Sequence, residues 1–265
     1  MRVFSLARPL TSIAVVALLG AGLAGCKTFG SQDITGSLGS RPATQSDADL
    51  HRSVAALGER YRANPRNADA ALRYGQALRA NGQHAQAVAV LQQATIAIPN
   101  NKPLLAAYGR ALAENGDFQA AFDTLNLAHT PENPDWRILS VQGAALDQLG
   151  RHDDARRYYA SALKLAPGEP AVLSNWGLSY MLSKDLPKAE QMLRQAYGAG
   201  SNPDVRVRHN LALVVGLQGR FAEAEDIARR DLPPEEAAAN VAYLKGMLAR
   251  DQRGRTASAP VAPRG

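Results

Sequence analysis

The side chains of this chain that could do chemistry are few and scattered. His51, His84, His129, His152 and His209 are its imidazoles, and Cys26 is its single thiol. A lone cysteine excludes a disulfide framework and any multi-cysteine metal site. No His-Glu-x-x-His pair, phosphate-cradling glycine loop or Gly-x-Ser-x-Gly turn occurs. Asp153-Asp154 and Glu235-Glu236 are adjacent carboxylates, and adjacent side chains on a helix diverge, so they read as solvated faces or as first-turn charges that favour the helix dipole. The expectation is a protein that is not an enzyme, with no catalytic residue, no metal, no cofactor and no small-molecule substrate.

Cys26 has a different chemistry open to it. Residues 1–25 carry Arg2 and Arg8 and then an apolar stretch from Leu10 to Leu23, the layout of a secretory signal. The stretch is too short, and too soon followed by polar sequence, for a membrane span. Leu23-Ala24-Gly25-Cys26 resembles the bacterial lipobox, in which cleavage before the cysteine leaves it as a lipidated first residue. That resemblance implies a thioether-linked diacylglycerol, and two or three acyl chains make a lasting anchor where one does not. Lys27, in place of the aspartate that tends to retain such lipoproteins at the inner membrane, implies the periplasmic face of the outer membrane of a Gram-negative bacterium. Cleavage removes Arg2 and Arg8 and lowers the formal charge from +6 to +4, too little for a nucleic-acid footprint. Residues 26–46, rich in Gly, Ser and Thr, read as a flexible tether, and residues 251–265 as a disordered tail.

The elements that must position everything else are set by a repeat. Gly75, Gly109, Gly143 and Gly177 recur every 34 residues, as do Ala87, Ala121, Ala155 and Ala189, and again Ala94, Ala128, Ala162 and Ala196. Small residues let two helices approach, while larger ones such as Leu105, Tyr108, Leu112 and Leu125 fill the space between. Asn81-Gly82, Asn115-Gly116 and Leu149-Gly150 mark the turn inside a unit. The chain is 46% hydrophobic yet only 6% aromatic, as suits alanine-rich helix pairs without one thick core. Leu-x-x-Tyr-Gly-x-x-Leu from Leu105 to Leu112, followed by Ala121, Leu125 and Ala128, resembles the tetratricopeptide repeat. The resemblance implies an all-α solenoid, a right-handed superhelix of antiparallel helix pairs over residues 47–250, with units near 68–101, 102–135, 136–169, 170–203 and 205–236. A helix at Asp47–Ala63 with Leu57 in phase, and one at Glu235–Arg250 with Gly246 in phase, would cap the ends. His84 and His152 share one repeat position, at the start of a second helix, where a side chain is expected to be solvated.

In such a family the first helix of each unit lines the concave side. Its inward positions are mixed and polar in the first three units, among them Arg79, Arg110, Glu114, Arg137, Ser140 and Asp147. In units four and five they turn apolar: Leu178, Met181 and Leu182, then Leu213 and Leu217. These side chains suggest a groove for an apolar peptide or helix, or a seat for the capping helix. Asn175 and Asn210 stand at one position of successive units, and a carboxamide can pair with the backbone of an extended peptide. Lipobox, tether, about five repeats and a basic tail together resemble the TadD lipoproteins of tight-adherence (Flp, type IVb) pilus systems. That implies a protein–protein scaffold whose partners are a pilus secretin or other pilus-assembly proteins, with the membrane reached through the lipid. An adaptor for cell-wall hydrolases or outer-membrane protein assembly is the alternative, and a solenoid-based enzyme the remote one.

Overall fold

Glycine and alanine decide how closely the helices of this protein approach. In the computed structural model, which describes residues 47–130, 132–199 and 204–257, those residues form twelve helices. They are α1 (Asp47–Ala63), α2 (Ala68–Ala80), α3 (His84–Ala97), α4 (Lys102–Asn115), α5 (Phe118–Ala128), α6 (Trp136–Gln148), α7 (His152–Leu165), α8 (Pro170–Leu182), α9 (Leu186–Gly198), α10 (Val205–Leu217), α11 (Phe221–Ala228) and α12 (Pro234–Ala257). The even-numbered helices from α2 to α10 open the units, and each of these is started by an acceptor side chain. Asn67, Asn101, Asp135, Glu169 and Asp204 accept from backbone N–H groups of the first turn that follows them.

Each repeat glycine lies under one bulky side chain of the second helix. A Cβ at Gly75 would stand 2.7 Å from Leu91 Cγ, at Gly109 2.5 Å from Leu125 Cγ, and at Gly143 2.6 Å from Tyr159 Cε1. At Gly177 it would meet Leu193 Cγ at 2.8 Å and the Ala189 carbonyl oxygen at 3.1 Å. The two alanine series are buried beside those contacts. Leu91, Leu125, Tyr159 and Leu193 are thereby removed from water, which stabilises by roughly 1.5–3 kcal/mol for a large apolar side chain. The core is a chain of local clusters along the stack. Between the helices of a unit the backbone turns through the left-handed region, at Gly82, Gly116, Gly150 and Gly219; in the fourth unit Lys184 takes that conformation, with φ 65°.

Adjacent units pack asymmetrically. Each opening helix comes close to the next one along its backbone, α2 to α4 and onward through α10 to α12, whereas α3, α5, α7, α9 and α11 stand further apart and meet through side chains, as Phe122 of α5 does on the Tyr158 ring of α7 and Arg194 of α9 on Glu223 of α11. The stack is therefore tighter along the opening helices, and their shared side is its inner face.

Both ends differ from the sequence expectation. In α1 the buried side chains among residues 51–63 are Val54 and Tyr61, Leu57 is half-buried, and it is the buried Gly58 that faces the Tyr74 ring, at 3.1 Å for an added Cβ. The terminal helix runs past residue 250 to Ala257, so the expected tail is helical over its first seven residues. Gly246 is in phase but meets no second helix; a Cβ there would find only Arg250 Nη1, at 3.8 Å. The close approach of α12 is made instead at Gly216, where an added Cβ would stand 2.5 Å from Leu244 Cδ2.

Candidate functional site on the inner face

The inner face is stitched differently along its length. Between α2 and α4, Arg79 donates through Nε to Glu114 Oε2 at 2.6 Å and through Nη2 to Oε1. Both side chains are largely withdrawn from solvent, and His84 Nδ1 lies 3.5 Å from the same carboxylate. Between α6 and α8, and between α8 and α10, an amide-to-hydroxyl bond recurs, and at the first of these seams a hydroxyl-to-carboxylate bond, from Ser179 Oγ to Asp147, is added. Asn175 Nδ2 donates to Ser140 Oγ at 3.1 Å, and Asn210 Nδ2 donates to Ser174 Oγ, also at 3.1 Å. The two asparagines read from sequence as contacts for a partner backbone thus each give a donor to the preceding unit, and Asn175 is buried. Among the described residues no side-chain hydrogen bond joins α4 to α6.

Asp147, near the end of α6, gathers a buried polar network. Its Oδ1 accepts from His152 Nδ1 at 2.8 Å and from Ser179 Oγ of α8 at 2.7 Å, and its Oδ2 accepts from the Tyr159 hydroxyl at 2.9 Å. Burial raises its carboxyl above the usual aspartate value, and the hydrogen bonds from His152, Ser179 and Tyr159 pull it back part of the way. The same burial, with Asp147 alongside, pushes the Tyr159 phenol well up. His84 and His152 are therefore only partly exposed, where their sequence position suggested solvated side chains. The turn preceding each folds its ring over a buried carboxylate, Glu114 for one and Asp147 for the other. A second buried group, missed from sequence, is Gln142, whose Oε1 accepts from His129 Nε2 at 3.3 Å and whose Nε2 donates to Asn126 Oδ1 at 2.7 Å. A glutamine amid alanines and leucines was its only signal.

The apolar residues of units four and five lie on contacting helices, Leu178, Met181 and Leu182 on α8 and Leu213 and Leu217 on α10. Leu182 is the most open at 37% exposure; the other four are half-buried, and Met181 packs on the cluster of Leu193, Leu211 and Val214. Helix α12 packs on α10 and α11, and Val241 joins that same cluster. Cys26, with the signal, the whole tether and residues 258–265, lies outside the described residues. Among the described residues no three potential metal ligands cluster, and no helix is long and apolar enough to cross a membrane.

Tetratricopeptide-repeat family models match residues 47–102, 78–138, 140–204 and 205–230. No curated protein sequence matches the chain. Among solved structures, PilW, described as a widely conserved type IV pilus biogenesis factor, is similar with a TM-score of 0.63 at 16% identity, over 73% of this chain and 91% of that one. Cut9 in the Cut9–Hcn1 assembly of APC/C is similar with a TM-score of 0.61 at 17% identity, over 78% of this chain; the match takes in only 42% of that longer chain. Pseudomonas aeruginosa PilF gives 0.50 at 18% identity, over 69% of this chain and 81% of that one. At these identities the likeness is one of fold.

Proposed function

Because the chain belongs to the tetratricopeptide-repeat family, a scaffold for protein–protein contacts, we propose that it is a lipid-anchored adaptor on the periplasmic face of the outer membrane that assists assembly of a type IVb pilus of the tight-adherence kind. The observation that carries the reading is the apolar inner row on α8 and α10, where Leu178, Leu182, Leu213 and Leu217 are left partly uncovered on a face otherwise built of polar groups. Support for the anchor comes from Leu23-Ala24-Gly25-Cys26, and support for the pilus from the fold shared with PilW and PilF. The partner would be the secretin or a neighbouring assembly protein.

The test is in-cell photocrosslinking from position 182, with identification of the trapped protein, repeated in a Leu178→Glu, Leu213→Glu variant. Recovery of a secretin, lost in the variant while helix content is kept, is the expected result. Recovery of a cell-wall hydrolase or of outer-membrane assembly machinery would replace the pilus assignment, and unchanged capture would move the groove elsewhere. The anchor is tested by labelled-lipid incorporation, which Cys26→Ala should abolish.

A further inference from the structure

Every repeat glycine of the stack lies under a bulky side chain except the one on the terminal helix. Leu91, Leu125, Tyr159 and Leu193 cover Gly75, Gly109, Gly143 and Gly177, and Leu244 covers Gly216. Gly246 holds the repeat position in α12, the last described helix, and all that a Cβ there would find is Arg250 Nη1, at 3.8 Å. Helix α12 gives one side to the stack: Ala237 and Leu244 are buried, and Val241 packs on the cluster of Leu211 and Val214. Glu236, Ala239, Tyr243, Gly246 and Arg250 are spaced alternately three and four residues apart, so they share another side, the spacing of a helix-to-helix seam. Gly246 is half-buried and the other four are exposed, Tyr243 by 57%.

Two features of that side say what fits it. An open tyrosine stands three residues before an uncovered glycine, and Tyr159 over Gly143 shows that a tyrosine ring fills such a place in this fold. In an antiparallel pair of α12 helices, each Tyr243 lies over Gly246 of the second copy, and both contacts form at once. The same register matches charge. The acidic start of each helix, at Glu235 and Glu236, comes within a turn of Arg250 near the far end of the other. A parallel pair would set Glu236 against Glu236 and Arg250 against Arg250, which like-charge repulsion disfavours. We propose that α12 is a self-association surface, on which two copies of this chain pair about a twofold axis through Glu236, Ala239, Tyr243, Gly246 and Arg250. It does not rest on the partner reading of the inner face, since neither Leu178 nor Leu213 takes part.

The test is sedimentation equilibrium of the full chain in density-matched detergent. The chain should dimerise with a dissociation constant on the order of 10–100 μM, the weak class of a contact below about 1,200 Å². A thermal melt at a few micromolar therefore reads the single chain. Glu236→Arg and Arg250→Glu should each weaken pairing at least about tenfold. An equimolar mixture of the two should regain it, because their reversed charges match only each other. Gly246→Leu meets no second helix in its own chain and should abolish pairing with helix content kept. Should it lose helix content, Tyr243→Ser, at an exposed position, takes its place with the same expected loss. A chain still monomeric at about 1 mM, a dimer indifferent to these substitutions, or a mixture that pairs no better than its parts overturns the proposal. So does a monomeric chain that photocrosslinks a different protein from position 243 in cells, which would give the face to that protein. None of these failures touches capture through Leu178 and Leu213, and loss of that capture with the dimer intact would strike the apolar groove alone.

Discussion

The two halves of the inner face solve one problem with different chemistry. Toward the N-terminus α2 and α4 are joined by a buried ion pair, Arg79 with Glu114, and toward the C-terminus α6, α8 and α10 are joined by asparagine-to-serine hydrogen bonds, with Ser179 on the Asp147 carboxylate added between α6 and α8. An ion pair withdrawn from water is held at a desolvation cost and punishes the loss of either partner; a neutral bond costs little and contributes little. Beside the ion-paired seam lies Arg110, whose Nε is buried without an acceptor, and beside the asparagine-to-serine bonds lie the apolar side chains Leu178, Leu182, Leu213 and Leu217. A single repeat geometry thus offers two kinds of surface.

The strongest way to break this picture is at Asp147, where α6 meets α8. Asp147→Leu should lower stability by about 3–5 kcal/mol, since it orphans Tyr159, Ser179 and His152 at once. Denaturant unfolding followed by circular dichroism would read it. Next in size is a direct comparison of the seams: Glu114→Leu should cost about 3 kcal/mol by stranding Arg79, and Asn175→Ala only about 1 kcal/mol. Equal losses in the two variants would erase the distinction between the halves.

A smaller contrast separates a filled repeat position from an empty one. Gly177→Ala should cost about 1–3 kcal/mol, because the new methyl meets both Leu193 and the backbone oxygen of Ala189. Gly246→Ala should instead stabilise, by up to about 1 kcal/mol, through helix propensity alone. Thermal melts of the two should move in opposite directions.

The smallest effect lies on the outside, where Glu190 of α9 accepts from Arg220, Gln218 and Arg194 and so ties the fourth unit to the fifth. Arg220 foremost, with Gln218 and Arg194, holds its carboxyl at about 2, below the ordinary 4.5. A depressed acid stabilises fully above its unfolded value, and that share is lost as pH falls from 4.5 toward 2. Glu190→Gln should cost about 0.5–1 kcal/mol at neutral pH, as for a solvent-screened network, and should flatten the decline of the melting temperature across that acid window. A parental slope that persists in the variant would assign the acid sensitivity to other carboxylates.

The helix pairs were legible because the repeat is a local code. Glycine at one position and alanines at two others are needed wherever two helices of a unit touch, so the same residues return and the period can be read without a structure. The ends were less legible, since a terminal helix has no neighbour to impose the register: Val54 and Tyr61 took the place expected of Leu57, and Leu244 over Gly216 took the place expected of Gly246. Asn175 and Asn210 could be put on inner helices from spacing alone. That a serine of the preceding unit would claim each of them could not, because the two lie 35 and 36 residues apart and meet only when units stack.

By itself, the sequence determined that this is an alanine-rich array of helix pairs, with a lipobox-like cysteine ahead of it. Only the tertiary structure decided which polar side chains are spent in the seams and which are left over. Helix formation and pairing follow from neighbours within one unit, whereas the partner of Arg79, the burial of Asp147 and the isolation of Arg110 depend on how units are brought face to face, and no periodicity in a chain records that distance.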